Sequence, residues 1–356
     1  MSESLEKLKD QLIALVDGDP AAVDTDAEDL GTLGEAARGL PKDFVKPAWS
    51  FADPVEQRPA EIGPYRVVDV LGSGGMGVVY RVEQPQPLQR MVALKVVHRA
   101  LTSKKTLARF ELERAALARL SHPNIATVYD TGTCQRGEPF VAMELVEGLP
   151  INEYVRKNRL GIVSTLNLFQ ALCCGVAHAH ACGIIHRDLK PSNVLVTSRD
   201  GKAIPKIIDF GIARILDSET ETRLTLTDQV VGTLEYISPE VIELGAGQAD
   251  ARSDVYGLGA ILYEMLTGTV PIDLDADKDF GVLKALQWIR EATIESPSRR
   301  LKTLGIHHRL ESDLDSIVLH ALEKEPSQRY QSPIELSEDI DRYLNHLPIK
   351  AKPPRS

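Results

Sequence analysis

The chain has 356 residues, of which 43% are hydrophobic and 26% are charged, a composition typical of an ordinary globular protein with a substantial core. Its formal net charge is −10, and residues 1–62 carry 14 acidic and 6 basic side chains, so −8 of that charge lies there. The remaining residues are close to neutral, which argues against nucleic acid as a main partner.

Signals for membrane insertion and secretion are missing from the sequence pattern. No run of about 18 apolar residues occurs, so no membrane segment is predicted, and the residues near Met1 lack the basic and apolar regions of a secretory signal. Four cysteines are too few and too irregularly spaced for a disulfide framework or a zinc site. We therefore expect reduced thiols in a cytoplasmic protein.

Residues 1–62 are predicted to form an acidic, largely flexible leader. Four leucines within residues 1–17 have the spacing of a short amphipathic helix, either a marginal helix or a docking helix for a partner. They are Leu5, Leu8, Leu12 and Leu15. Residues 18–62 are rich in Asp, Ala, Gly and Pro, with few large apolar side chains.

From Tyr65 the sequence predicts a small antiparallel sheet with one main helix, and then a larger helical region. Short β-branched runs separated by Gly or Pro predict three consecutive strands, and two further strands follow a helix. The predicted strands cover residues 65–71, 78–82, 91–97, 125–129 and 140–145, and the helix covers about 104–120. After residues 148–150 the pattern stays mostly helical to Leu347.

Two short segments in the helical half indicate phosphoryl transfer. Residues 186–193 read HRDLKPSN, and residues 209–211 read DFG. Asp188 and Asn193 with a second carboxylate at Asp209 can hold a hydroxyl nucleophile and two metal ions at one phosphate. The segments resemble the signatures of bacterial eukaryotic-like (Hanks-type) serine/threonine protein kinases.

The resemblance covers about Tyr65 to Leu347 and implies an α+β, two-lobed protein kinase fold. The implied kinase domain comprises residues 63–347, with an N-lobe over 63–146 and a C-lobe over 147–347. Residues 348–356 are then a C-terminal tail.

A glycine-rich run supports the same family. Gly72, Gly74, Gly77 and Val79 fit the pattern G-x-G-x-x-G-x-V, which lets the backbone fold closely over phosphates. Dinucleotide-binding folds use a related pattern, but there a helix begins at the third glycine. Here residues 78–82 read as a strand, which favours the kinase loop.

The resemblance implies a complete ATP site. Lys95 corresponds to the lysine that holds the α- and β-phosphates, and its expected partner is Glu113, with Glu111 as the weaker alternative. Residues 144–146 correspond to the hinge whose backbone binds adenine. The expected nucleotide-binding residues are Leu71, Gly72, Gly74, Gly77, Val79, Ala93, Lys95, Glu113, Met143, Glu144, Val146 and Leu195.

The resemblance also assigns the chemistry. Asp188 accepts or orients the substrate hydroxyl, and Lys190 neutralises the transferring phosphoryl group. Asn193 and Asp209 bind Mg²⁺, with Mn²⁺ as an alternative ion, and the phosphoryl donor is ATP. The implied substrates are protein Ser and Thr residues.

Further motifs concern structure and control. The residues that end at Glu240 resemble the end of an activation segment. Glu240 itself is expected to form a buried ion pair with Arg329. Asp254 resembles the carboxylate that anchors the catalytic loop. Activation is expected through autophosphorylation at Thr225 and Thr227. The chain is then its own substrate, and the reaction takes place in a transient dimer.

Two other functions compete with this interpretation. A scaffold related to kinases would have lost one of the phosphate or metal residues, and none is lost. A small-molecule phosphotransferase would lack the segment between Thr233 and Pro239, which in protein kinases holds the substrate peptide.

Overall fold

The structure is a computed structural model that describes most of the region after residue 58. The described residues are 59–74, 77–85, 89–98, 119–135, 137–199, 201–210, 234–244, 249–274, 282–306 and 310–352. Most of the predicted leader therefore lies outside the described residues, as does most of the predicted helix over 104–120.

A six-stranded antiparallel sheet forms the smaller part of the described fold, in the order β1-β2-β3-β4-β6-β5. The strands are β1 (Glu61–Ile62), β2 (Tyr65–Gly74), β3 (Gly77–Gln84), β4 (Arg90–Val97), β5 (Val128–Thr133) and β6 (Pro139–Glu144). Alternating apolar residues bury one face of this sheet, where Tyr65 packs edge-on against Phe140 with ring centroids 5.7 Å apart. Val82 and Leu94 are fully buried in the same cluster.

The folded region begins before residue 63. Ile62 pairs with Tyr65 as part of β1 and is buried in the core of the sheet. The backbone N–H of Val67 donates to the carbonyl of Ala60 at 2.9 Å. A strand of two residues carries no periodicity, so the sequence assigned residues 61 and 62 to the leader.

The larger part of the described fold is mainly helical. Its helices are α1 (Ile151–Lys157), α2 (Ile162–Ala181), α3 (Pro239–Leu244), α4 (Ala251–Thr267), α5 (Val282–Glu291), α6 (Pro297–Thr303), α7 (Ser312–Ala321) and α8 (Pro333–Leu344). Helix α4 is apolar nearly all round and buried, as expected of a helix at the centre of a core. Asp250 caps its first turn by accepting from the N–H of Arg252 at 2.7 Å, and Gly268, at φ 76°, ends it.

Helix α2 is, within the described residues, the one helix that is long and apolar enough to cross a membrane. Half of its apolar window is buried inside the protein, and Leu166, Phe169, Leu172 and Val176 belong to the main core. The apolar side chains are therefore accounted for by packing in the larger lobe.

A second, three-stranded antiparallel sheet lies beside the helices in the order β7-β8-β9. It consists of β7 (Leu149–Pro150), β8 (Val194–Arg199) and β9 (Lys202–Ile207), which the sequence pattern did not separate from the helical region. Ile207 forms a parallel bridge with Ile125, the residue that leads into β5. Strand β9 therefore connects the smaller sheet with the helical lobe.

The predicted tail begins inside the folded domain. The backbone N–H groups of Lys350 and Ala351 both donate to the carboxylate of Asp339 on α8, each at 2.7 Å. The hydroxyl of Tyr330 donates to the same carboxylate at 2.8 Å. Because Asp339 is completely buried, these donors replace the water that its charge would otherwise require.

Candidate active site

The glycine-rich segment includes the adjoining ends of β2 and β3, where Gly74 lies opposite Gly77. A side chain at Gly77 would overlap the carbonyl oxygen of Val96 on β4, so only glycine allows this close approach. At Gly72 a Cβ atom would meet no other atom within 4 Å. The two glycines therefore have different roles: Gly77 permits packing against β4, whereas Gly72 leaves open space.

Lys95 projects from the middle of β4 toward the larger lobe. It lies between Val79 of β3 and Val141 of β6 in register, and only 9% of the residue is exposed. Its Nζ lies 3.0 Å from a carboxylate oxygen of Asp209. The expected partner Glu113 lies outside the described residues, so the expected Lys95–Glu113 pair stays a prediction.

The apolar residues expected around adenine come together on the smaller sheet. Val79, Ala93 and Met143 belong to one apolar cluster, with Ala93 directly opposite Met143 across β4 and β6. Strand β6 ends at Glu144, so Glu144 is both the end of the strand and the start of the predicted hinge.

The remaining residues expected around adenine occupy both lobes. Leu195 and Val146 are half-buried, and Leu195 lies on β8 of the larger lobe. Leu71 on β2 is 42% exposed. The described fold therefore supplies an apolar sheet face at Val79, Ala93 and Met143, and a second apolar side chain from β8.

The catalytic segment is held by hydrogen bonds between its own residues. The side-chain amide of Asn193 donates to both the carbonyl and the carboxylate of Asp188, at 2.7 and 3.0 Å. The Nζ of Lys190 lies 3.0 Å from the same carboxylate. Asp188, Lys190 and Asn193 are therefore brought to one point, as the sequence predicts.

Asp254 on the buried helix α4 anchors this segment. Its two carboxylate oxygens accept the backbone N–H groups of His186 and Arg187, both at 2.8 Å, and His180 lies 2.7 Å away. Arg187 has φ 67° and Asp209 has φ 64°, a left-handed conformation that costs free energy for residues other than glycine. The structure thus confirms the anchoring contact and shows strained backbone on either side of the site.

Oxygen atoms suited to a hard divalent cation are present at the site. The carboxylate of Asp209 and the amide oxygen of Asn193 are of the type that Mg²⁺ prefers. The amide nitrogen of Asn193 is already used toward Asp188, which leaves its oxygen as the acceptor. Among the described residues no group of three or more His, Cys, Asp or Glu side chains could hold a metal alone. Such a sparse set fits Mg²⁺ shared with phosphate oxygens.

The expected ion pair between Glu240 and Arg329 is confirmed. Two bonds of 2.7 Å join the guanidinium to the two carboxylate oxygens, and the Arg329 side chain is completely buried. Burial raises the pKa of Glu240, but the hydrogen bonds and charge of Arg329 outweigh it, so the pKa is lowered overall. The bidentate geometry fixes the start of α3, which follows the predicted activation segment.

The two histidines of α2, His178 and His180, have separate partners. His180 contacts Asp254, whereas the ring of His178 stacks on that of His122 with centroids 5.1 Å apart. Burial, and then the neighbouring His178 and Lys206, lower the pKa of His122. All four cysteines are free thiols. Thr225, Thr227, Arg214 and Glu111 lie outside the described residues.

Two polar networks near the site were not predicted from the sequence. Lys206 on β9 forms an ion pair of 2.8 Å with Glu144, although the two are 62 residues apart. Glu264 on α4 accepts from Tyr236 at 2.6 Å and from Asn152 at 2.7 Å. No local sequence pattern marks either network, because their members meet only through the fold.

Comparison with known proteins gives a consistent result. The sequence profile of the protein kinase domain matches residues 65–340. Serine/threonine-protein kinase pkn3 of Myxococcus xanthus is 36% identical over 269 residues, covering 74% of this chain and 47% of the relative. Serine/threonine-protein kinase PknB of Mycobacterium tuberculosis is 36% identical over 292 residues, covering 81% of this chain and 44% of the relative. The chain spans less than half the length of these two relatives.

Solved structures show the same fold. The crystal structure of the PknI kinase domain of Mycobacterium tuberculosis is 26% identical, with a TM-score of 0.56 over 79% of this chain and 96% of that chain. A double mutant of the same domain gives a TM-score of 0.58 and 27% identity. The predicted two-lobed fold is thereby confirmed.

Proposed function

The chain belongs to the protein kinase domain family, and we propose that it transfers the γ-phosphate of ATP to Ser and Thr hydroxyls of proteins. The observation that carries this proposal is that Lys95 pairs with Asp209 and Asn193 with Asp188, while the backbone N–H of Ile208, next to Asp209, donates to the carbonyl of Asn193 at 2.9 Å. Nζ of Lys95 lies 3.0 Å from Asp209, and the amide of Asn193 lies 3.0 Å from the Asp188 carboxylate.

Each residue has a distinct role in this chemistry. Lys95 supplies positive charge toward the α- and β-phosphates, and Lys190 supplies it toward the transferring group. Asp188 accepts a hydrogen bond from the substrate hydroxyl and holds its oxygen toward the phosphorus. Mg²⁺, bound by Asp209 and Asn193, would neutralise charge on the phosphates; Mn²⁺ suits the same oxygen ligands. Because the transition state is loose, this positioning and charge stabilisation account for most of the catalysis.

Protein rather than small-molecule substrates are favoured by the ordered end of the activation segment. Arg329 fixes Glu240 with two bonds of 2.7 Å, and Ser238 is buried just before it. In protein kinases the segment that ends here supports the substrate peptide. We further propose that the chain phosphorylates itself, through a transient dimer.

The test is transfer of radiolabelled phosphate from ATP to the protein itself and to a generic basic protein. We expect Asp209→Asn to lower the rate about 10³-fold or more, because a metal ligand is lost. Asp188→Asn removes the acceptor for the hydroxyl and should be similarly impaired. Asp341→Asn, an exposed substitution on α8, serves as the control and should match the wild type.

Near-normal turnover in Asp209→Asn would contradict the mechanism. If phosphotyrosine were the main product, the Ser/Thr assignment would be contradicted. Transfer to an aminoglycoside in preference to any protein would favour the small-molecule alternative.

A further inference from the structure

The ion pair between Lys206 and Glu144 joins the end of β6 in the smaller sheet to β9. Nζ of Lys206 donates to one carboxylate oxygen of Glu144 at 2.8 Å. The same oxygen accepts the backbone N–H of Thr127 at 3.2 Å, and the backbone N–H of Glu144 donates to the carbonyl of Thr127 at 2.8 Å. One carboxylate therefore connects the end of β6 with β9 and with the segment that leads into β5.

That connecting segment is itself bonded to β9. The N–H of Ala126 donates to the carbonyl of Ile207 at 2.9 Å, and the N–H of Ile207 donates to the carbonyl of Asn124 at 2.8 Å. The side chain of Asn124 donates to the carbonyl of Pro205 at 2.9 Å. The segment that contains Thr127 is therefore held against β9, and Glu144 contacts both Thr127 and Lys206 of β9.

The two residues of this ion pair lie near opposite ends of the expected nucleotide site. Glu144 begins the hinge at residues 144–146, which is expected to bind adenine. Lys206 lies on the strand that runs directly into Asp209, three residues later, where the metal and phosphates are expected.

On the basis of the proposed function, we propose that Lys206 and Glu144 act as positioning residues that set the distance between the adenine-binding hinge and the metal-binding Asp209. The pair does not touch the reacting atoms; it holds one end of the nucleotide site at a fixed spacing from the other. ATP·Mg²⁺ spans that spacing, whereas adenosine occupies only the hinge end.

Burial makes the pair effective. The side chains of Lys206 and Glu144 are 15% and 27% exposed, so water and salt screen their attraction less than that of a surface pair. Removing one partner leaves the other partly desolvated without its counter-charge, which favours movement of the hinge away from β9.

The experiment compares binding of two ligands to the full chain by calorimetry. We expect Lys206→Met and Glu144→Gln each to weaken ATP·Mg²⁺ binding about three- to tenfold. For Lys206→Met, which lies outside the hinge, adenosine binding should stay within about twofold. The double variant should be no worse than either single variant, since both remove the same contact. Lys202→Met, an exposed lysine on the same strand, is the matched control and should bind both ligands as the wild type does.

Thermal unfolding of each variant, with Glu144→Gln as the size-conserving substitution, shows whether the fold is retained. If the affinity for adenosine fell as much as the affinity for ATP·Mg²⁺, the ion pair would only support the hinge locally. That result would overturn the proposal. Unchanged ATP·Mg²⁺ binding in folded variants would also overturn it, while leaving the kinase function intact. A wild type that neither binds ATP·Mg²⁺ nor transfers phosphate would instead refute the proposed function.

Discussion

At the scale of single residues, Glu240 and Arg329 show how a buried charge is tolerated. Arg329 donates to Glu240 and also to the carbonyls of Arg252, Glu323 and Lys324, at 2.6 to 3.0 Å. Every side of the guanidinium thus faces an acceptor, which offsets the loss of water around a fully buried ion. The pair is therefore costly to break even though its net contribution to stability is modest.

The lowered pKa of Glu240 predicts a pH dependence of stability. A carboxylate whose pKa is lower in the folded than in the unfolded protein stabilises the fold above its ordinary pKa of 4.5, and this contribution is lost as the pH falls through the folded pKa. At pH 7 we expect Glu240→Gln to reduce the free energy of unfolding by about 3 to 5 kcal/mol. The difference from the wild type should shrink as the pH falls below 4.5.

Urea unfolding at pH 7 and at about pH 3.5 measures this difference. The control is Glu338→Gln, since Glu338 forms only an exposed ion pair with Lys350, with side chains 52% and 54% exposed. Its effect should stay below about 1 kcal/mol. A Glu240→Gln variant that differs from the wild type equally at both pH values would contradict the pKa argument.

Which residues could be predicted from the sequence depends on how far apart they lie. Asp188, Lys190 and Asn193 share one short motif, so their convergence follows from local geometry, and the structure confirms it. Lys206 and Glu144 are 62 residues apart and each resembles an ordinary charged residue on a strand. Their pairing depends on how the fold brings the end of β6 near β9, which no sequence pattern specifies.

At the scale of elements, the adjoining ends of β2 and β3 carry two glycines with opposite steric surroundings. Gly77→Ala should lower the free energy of unfolding by about 1 to 3 kcal/mol, because the new methyl group would collide with the backbone of Val96. Gly72→Ala should change it by less than about 0.5 kcal/mol, because a Cβ there has open space. Denaturant unfolding of the two variants gives the comparison, and equal losses would contradict it.

The activation segment gives a second prediction at this scale, argued from its sequence because Thr225 and Thr227 lie outside the described residues. A phosphate adds about −1.5 to −2 charge and pairs well with arginine. Arg187 is suited to bind this phosphate, because its backbone N–H donates to Asp254 at 2.8 Å, which holds it beside Asp188. We expect the wild type to be phosphorylated at Thr225 and Thr227, and the double alanine variant to be about tenfold or more less active.

Mass spectrometry and phosphate transfer together test this switch. The matched control replaces Thr220 and Thr222 with alanine, because the flanking Glu219 and Glu221 would repel a phosphate there. That control should keep wild-type activity. Full activity of an unmodified wild type, or of the Thr225→Ala/Thr227→Ala variant, would show that the switch does not exist.

At the scale of the whole molecule, most of the net charge lies outside the described residues. Residues 1–58 hold 13 acidic and 6 basic side chains, a charge of −7 out of −10. They include none of the residues expected to contact the phosphates, the metal or the substrate hydroxyl. Within the part of the chain that the structure describes, every contact that builds the site lies after Pro59. The fold boundary could be predicted only approximately, because β1 is too short to show a pattern and the N–H donors that fix Lys350 and Ala351 are invisible in a sequence.

This separation predicts how truncation affects the protein. A chain that starts at Pro59 should fold and phosphorylate a test protein within about threefold of the full chain, since it keeps β1 and every site residue. A chain that starts at Pro64 lacks β1 and the buried side chain of Ile62, and should be less stable by about 1.5 to 3 kcal/mol. Urea unfolding and phosphate transfer distinguish the two. If the chain from Pro59 were inactive or insoluble, residues 1–58 would have to dock on the domain, with Leu5, Leu8, Leu12 and Leu15 as the contact stripe.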